Sequence, residues 1–318
     1  MNIVFLGTPE LSAFVLKELH SKGLSIKGVV TQPDRKSGRG LTLTPPPVKE
    51  TAEKLGLKVF QSERFDKKLF SELKGLGDLD LAIVIAYGCY IPTYFIDHMN
   101  KKILNIHFSL LPKYRGAAPV ARAIMNGDTE SGITIMEICK EMDAGDIVAQ
   151  KKINIDDDDN TETLSWKLVK EGSPLLINNM DDYVNGKIKP MPQSKIKIEP
   201  SYANKLNPEE KMIDWDMDAV HIHNMIRALY PWPVAESRVD DLTIKFIKTK
   251  VVSATRDISD LEIGAVVDVD KKNGFFTVKT RKDLLLVEKV KPSGKKELDV
   301  SSFLNGHELK RGMRFSNV

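Results

Sequence analysis

Cysteine is scarce: 318 residues contain two, Cys89 and Cys139, with no C-x-x-C pair. That excludes a disulfide scaffold and a thiolate-rich zinc site, and it points to a reducing compartment. Long apolar runs are missing as well. None approaches the ~20 residues that span a bilayer. Met1 leads straight into Ile3-Val4-Phe5-Leu6, which reads as a strand and not as a signal peptide or presequence. A cytoplasmic protein without membrane contact is expected. Charge of one sign is also absent, since 47 basic and 44 acidic side chains leave +3. Any nucleic-acid surface must therefore be a local patch. No G-x-G-x-x-G occurs. The first strand turns on the single Gly7, a tight strand-to-helix turn more readily than a dinucleotide site. The acidic run Asp156–Asp159 lacks the glycine and ligand offsets of a calcium loop, and no metal is expected. Heptads and long exposed apolar helix faces are missing, so a monomer is expected.

What is present is an ordinary folded composition, 42% hydrophobic and 29% charged. The length exceeds one core, so two domains are expected. Short apolar strands at 3–6, 28–31, 58–60, 79–86, 103–107 and 132–138 alternate with helices at 47–56 and 66–75. Thr8 and Pro9 open a first helix as N-cap and first helical residue. This alternation predicts an α/β, Rossmann-like, mostly parallel sheet over residues 1–189. A further helix runs from about Asn160 to Val184. The texture then changes. Gly186 to Pro200 holds three prolines and four lysines, and a linker is expected across 190–206. Residues 207–318 offer one helix (216–229) and short strands at 242–247, 264–269, 275–280 and 284–290. Those predict a small β-barrel or sandwich.

Two segments carry chemistry. Asn105-Ile106-His107-Phe108-Ser109-Leu110-Leu111-Pro112 starts as a strand, which puts Asn105 and His107 on one face. In open α/β sheets, ligands sit at the carboxyl ends of strands. An amide and an imidazole placed there can polarise a carbonyl and handle a proton, although a lone strand histidine is more often structural. Met142-Asp143-Ala144-Gly145-Asp146 follows the 132–138 strand. One of its carboxylates can orient His107 and raise its pKa; alone it would read as an acidic turn.

Together, N-x-H-x-S-L-L-P and D-x-G-D resemble the folate-dependent formyltransferase family. The likeness continues through Leu111 to Pro119 and Gly132 to Met136. It implies Asn105, His107 and Asp143 as the catalytic trio, stabilising a tetrahedral intermediate. It implies a 10-formyltetrahydrofolate co-substrate, its pterin lying near Tyr87, Gly88, Cys89, Tyr90, Ile91 and Pro92. Ser109, Leu110, Leu111, Pro112, Lys140, Glu141 and Met142 would complete that pocket. The insertion from Thr31 to Lys49 and the Arg227-Ala228-x-x-Pro231-Trp232-Pro233 segment resemble the members that formylate initiator methionyl-tRNA, whose second domain is an OB-like barrel. Arg35, Lys36, Arg39, Lys187, Lys189 and Lys291 are the residues expected to meet that RNA. A sugar-amine or purine-pathway acceptor, a folate hydrolase, and an RNA-binding module on a degenerate α/β domain remain alternatives. The basic insertion and the appended C-terminal domain favour the tRNA.

Overall fold

The computed structural model describes residues 1–37, 42–100, 102–255 and 257–316. In chain order the elements of the first half are β1 (Asn2–Gly7), α1 (Glu10–Ser21), β2 (Ser25–Thr31), β3 (Arg35–Ser37), β4 (Thr42–Thr44), α2 (Pro47–Lys54), β5 (Val59–Gln61), α3 (Lys67–Lys74), β6 (Leu81–Ile85), α4 (Thr93–His98), β7 (Ile103–His107), α5 (Pro119–Met125), β8 (Glu130–Glu137), β9 (Ile147–Asn154) and α6 (Thr161–Val184). There follow α7 (Ala219–Ala228), β10 (Glu236–Val239), β11 (Leu242–Val252), β12 (Val266–Asp270), β13 (Phe275–Lys279), β14 (Leu284–Pro292), β15 (Leu298–Asp299), α8 (Val300–Phe303) and β16 (Phe315–Ser316). Two compact units result. One comprises Met1–Gly116, Glu130–Asn154 and Ser165–Tyr202; the other comprises Ala117–Thr129, Ile155–Leu164 and Ala203–Val318.

The first unit is built on a seven-stranded sheet, β5-β2-β1-β6-β7-β8-β9. The pairs from β5 through β7 are parallel, and β8 and β9 add antiparallel strands. This is the mostly parallel α/β sheet expected. β6 (LAIVI) is buried at every position, as a central strand covered on both faces must be. At the other extreme, α3 starts on Asp66, whose Oδ1 accepts from the Leu69 N–H at 2.8 Å, satisfying one of the helix's orphan donors.

The start of α1 differs from expectation. Its N-cap is Pro9, and no side chain caps it. The Thr8 hydroxyl instead donates to the Tyr87 carbonyl at 2.9 Å, tying the β1 turn to the loop after β6. Gly7 is required by packing. A Cβ there would lie 2.7 Å from Ser12 Cβ and 3.1 Å from the Ile85 carbonyl oxygen.

The second unit holds an antiparallel sheet in the order β12-β13-β14-β11-β10-β16, with β15 on β14. Ala265 bridges Arg314, so the two ends of the sheet approach each other and it curls as a barrel does. Phe246, Phe276, Phe315 and Trp215 fill its centre. The Trp215 ring lies 5.6 Å from Phe246 and 5.4 Å from Phe315. Its indole N–H donates to Ser237 Oγ at 3.0 Å, which makes burial of the polar tip tolerable. Among the described residues no helix is long and apolar enough to cross a membrane.

Candidate active site

The site grows from the carboxyl end of β7. There Asn105 pairs in register with Val84 of β6 and Met136 of β8, and His107 with Thr134 of β8. His107 is 6% exposed. Its Nε2 lies 2.9 Å from the Tyr114 carbonyl oxygen, and its Nδ1 lies 3.7 Å from Asp143 Oδ2. Both ring nitrogens therefore face acceptors; a neutral ring, with one N–H, donates to one of them, and the imidazolium has an N–H for each. Burial holds the His107 pKa below the ordinary imidazole value, and the Asp143 charge and the Tyr114 carbonyl offset this only in part. Asn105 is half-buried, and its amide has no hydrogen-bond partner among the described residues.

Asp143 stands in the loop between β8 and β9 with φ +52°, a left-handed conformation that Asp tolerates better than most residues. Its Oδ2 accepts from the Gly116 N–H at 2.7 Å, so the carboxylate is fixed before it meets the imidazole. Two residues on, Gly145 has no room for a side chain. A Cβ would sit 1.8 Å from the Glu137 carbonyl oxygen. The glycine of D-x-G-D lets the loop lie directly on the end of β8.

The turn after β7 is tied down by its own polar network. Ser109 Oγ donates to the Lys113 carbonyl at 2.6 Å. Thr134 Oγ1 donates to the Ser109 carbonyl at 2.7 Å and accepts from the Leu111 N–H at 3.1 Å. Gln150 Nε2 donates to the Leu111 carbonyl at 2.9 Å. Ser109, Leu111 and Pro112 are buried here and Leu110 half-buried. On the opposite loop, Lys140, Glu141 and Met142 are exposed. Glu141 Oε1 accepts from Arg115 Nη1 at 3.1 Å.

Residues 87–92 divide by environment. Tyr87 and Ile91 belong to a buried cluster, with Cys89 and Ile138 against it. The 87–92 loop and the segment that follows β8 thus share one apolar base. Burial pushes the Tyr87 hydroxyl pKa up. Gly88 and Tyr90 are exposed and Pro92 half-exposed. A cavity of about 450 Å³ opens at the carboxyl ends of β1, β2 and β6, lined by Thr8, Gln32, Arg35, Pro45, Tyr87 and Gly88 among others. Arg35 Nη2 donates to Gln32 Oε1 at 3.0 Å, and Gln32 Nε2 donates to Cys89 Sγ at 2.7 Å. The basic insertion is thereby linked to the 87–92 loop. Arg35 and Lys36 lie on the β3–β4 hairpin and are exposed; Arg39 lies outside the described residues. Lys187 pairs with Asp182 at 2.9 Å, and Lys189 is exposed. In the second unit Lys291 stands opposite Lys245 across β14 and β11.

The structure therefore groups Asn105, His107 and Asp143, and it groups Arg35 with Tyr87 and Gly88. Sequence reasoning missed the Tyr114 carbonyl, the Gly116 N–H and Gln193, as well as Thr8 and Gln32 in the cavity. The backbone groups have no side-chain signature at all.

The formyl transferase family model matches residues 1–180, and the model for the formyl transferase C-terminal domain matches residues 205–308. A methionyl-tRNA formyltransferase of Thermodesulfovibrio yellowstonii is 39% identical over 313 residues, 98% of either chain. Another, from Listeria monocytogenes serotype 4b, is 39% identical over 318 residues, 99% of either chain. Among solved structures, the N-formyltransferase from Helicobacter canadensis in complex with folinic acid and dTDP-3-aminofucose shares the fold, with a TM-score of 0.68 at 18% identity over 93% of this chain and 99% of that one. Matched by both models in order and by relatives along its whole length, the chain belongs to the formyl transferase family and, within it, to the methionyl-tRNA formyltransferases.

Proposed function

We propose that this chain moves the formyl group of 10-formyltetrahydrofolate onto the α-amino group of methionine on initiator methionyl-tRNA, with Asn105, His107 and Asp143 as the catalytic residues. The observation that carries this reading is the arrangement at the end of β7: an amide with no partner among the described residues beside an imidazole whose Nδ1 faces a fixed carboxylate at 3.7 Å. The folate supplies an activated formyl carbon. When the amine adds to that carbon, negative charge develops on the formyl oxygen. The Asn105 amide and the Nδ1–H of a protonated His107, which stands 3.7 Å from Asp143 and is not held there by a close hydrogen bond, donate hydrogen bonds to it, an electrostatic contribution of the kind that supplies about 10²–10³ in rate per donor. Asp143 stabilises the imidazolium and assists removal of the proton from the attacking amine. The new N–C bond forms first, giving a tetrahedral intermediate; its collapse restores the carbonyl and breaks the bond to the folate nitrogen, which takes up the proton given up by the amine.

The surroundings fit a folate. Tyr90 is 64% exposed and Met142 70% exposed, on the two segments that share the Tyr87–Ile91–Ile138 base, and exposed apolar surface of this kind suits a flat heteroaromatic ring. The cavity beside Thr8, Gln32 and Arg35 suits the acceptor end of the RNA, and its Tyr87–Gly88 side follows β6, the strand next to the His107 strand β7. Arg35, Lys36, Lys189 and, in the second unit, Lys291 supply positive charge for phosphates. Lys187 contributes less, because Asp182 already neutralises it.

The test is formyl transfer from 10-formyltetrahydrofolate to charged initiator tRNA by wild type and His107→Ala. Transfer that collapses in the variant while folate still binds supports the reading. Undiminished transfer by His107→Ala removes the imidazole from the mechanism. Transfer only to a small amine such as an amino sugar would replace the acceptor.

A further inference from the structure

The Pro- and Lys-rich segment after α6 carries a buried side chain where its composition suggests none: Gln193 is 5% exposed. It opens a short 3-10 turn, Gln193–Lys195. Just before it, Met191 exchanges both backbone hydrogen bonds with Ile147, each 2.8 Å. The segment is thus paired with the first residue of β9, immediately after the Asp143 loop.

The Gln193 amide uses its full hydrogen-bonding capacity there. Oε1 accepts from Arg115 Nε at 3.1 Å and from Arg115 Nη2 at 2.8 Å. Nε2 donates to the Asp143 carbonyl at 2.8 Å and to the Gly145 carbonyl at 2.9 Å. The orientation of the amide is forced, because a guanidinium only donates and a backbone carbonyl only accepts. Arg115 is itself 8% exposed. It stands between Tyr114, whose carbonyl holds His107 Nε2, and Gly116, whose N–H holds the Asp143 carboxylate. One side-chain amide therefore joins the two backbone segments, 114–116 and 143–145, that hold His107 and Asp143 in place.

We propose that Gln193 is a positioning residue for catalysis, clamping the left-handed backbone at Asp143 to the 114–116 turn and so setting the distance from the Asp143 carboxylate to the His107 ring. This rests on the reading of His107 and Asp143 as catalytic. Without the amide, the Asp143 and Gly145 carbonyls lose a buried donor and the loop loses its tie to Arg115. The carboxylate then no longer has a single place beside His107, and displacements of that size cost up to about 10² in rate.

The experiment uses the full chain and compares Gln193→Ala, Gln193→Glu, Asp143→Asn, His107→Ala and Gln193→Ala/Asp143→Asn. For each, kcat, the KM of both substrates, the pH profile of kcat and the thermal midpoint are measured. Gln193→Ala should lower kcat about 10- to 100-fold, and both KM values should stay within about threefold of wild type. The limb of the pH profile that follows His107 should move to lower pH, because a loosened carboxylate no longer raises the imidazole's proton affinity. Gln193→Glu keeps the bonds to Arg115 but turns a carboxylate oxygen toward two carbonyls. It should show the same losses, and it carries the test if Gln193→Ala does not fold. The double variant should be no slower than Asp143→Asn alone, since both changes act through one carboxylate. A folded Gln193→Ala with unchanged kcat and pH profile overturns the proposal, as do losses that multiply in the double variant. Wild-type kcat in Asp143→Asn and His107→Ala would instead bring down the reading of the trio, and this proposal with it.

Discussion

Gly145→Ala tests how tightly the geometry of the Asp143 loop is specified. The added Cβ would lie 1.8 Å from the Glu137 carbonyl oxygen and 2.7 Å from its carbonyl carbon, whereas real Cβ contacts essentially never fall below 3.0 Å. The obstacle is backbone at the end of β8, so no side chain can swing aside. The loop must then move by about 1 Å, a displacement that costs on the order of 10² in rate when it misplaces a reacting group. Asp143 is two residues away and moves with it. The lost contacts and strain should also lower stability by about 1–3 kcal/mol. The assay is kcat for tRNA formylation alongside a thermal melt. Gly306→Ala is the control, because a Cβ there meets nothing within 4 Å. A folded Gly145→Ala enzyme with kcat close to wild type would refute the reasoning, for it would mean that the carboxylate tolerates displacement.

Asn105→Ala should lower kcat about 10²–10³-fold and leave the thermal midpoint unchanged, since the amide has no hydrogen-bond partner among the described residues; kinetics with a parallel melt checks both halves. His223 of α7 faces Arg227, Asp157, Asp158 and Thr249, and burial together with the Arg227 charge pulls its pKa down from 6.5 to about 4. The folded chain thus binds a proton later than the unfolded chain. Stability present above pH 6.5 is lost as pH falls toward 4, by about 2 kcal/mol at pH 5. Melts at pH 7 and 5 should show a smaller acid shift in His223→Gln. Affinity for the RNA should fall steeply with salt, and Lys189→Ala should reduce the slope of log affinity against log salt by about 1, which a salt titration reads directly. Phe246→Ala should cost about 3–5 kcal/mol in a denaturant titration, because the ring is fully buried among Trp215 and Phe315.

Residues that state their environment in their own side chains were legible. The parallel strands announced themselves as apolar runs, and the two-residue strand period put Asn105 and His107 on one face. β9 was not legible. Its sequence, IVAQKKIN, carries two exposed lysines on the outermost strand, and such edge strands are often charged for protection. The start of α1 was misread for another reason. Thr8 has the chemistry of an N-cap, but its hydroxyl found a longer-range acceptor in Tyr87. Propensity describes what a residue can do locally, and a tertiary partner outbids it. Gln193 stayed invisible because prolines and lysines surround it, and composition averages over the one position that is buried.

The arrangement around His107 also gives a reason for the support that stands behind the proposed trio. Burial favours the neutral ring, and a neutral ring can donate to only one of its two neighbouring acceptors. The Asp143 charge and the Tyr114 carbonyl act against burial, so the ring's protonation depends on both staying close. Each reaches the site through backbone: Tyr114 through the turn after β7, and Asp143 through a left-handed residue beside a glycine that permits nothing larger. In the proposed mechanism, the negative charge growing on the formyl oxygen adds to the Asp143 carboxylate and the Tyr114 carbonyl dipole that already face the imidazole. The ring then holds its proton most firmly when the oxyanion is greatest. On that reading the stabilisation is specific to the transition state, and it rests on an imidazole whose pKa burial lowers and the fixed Asp143 charge and Tyr114 carbonyl partly restore. Loosening any of those fixtures should therefore lower kcat before it lowers substrate affinity.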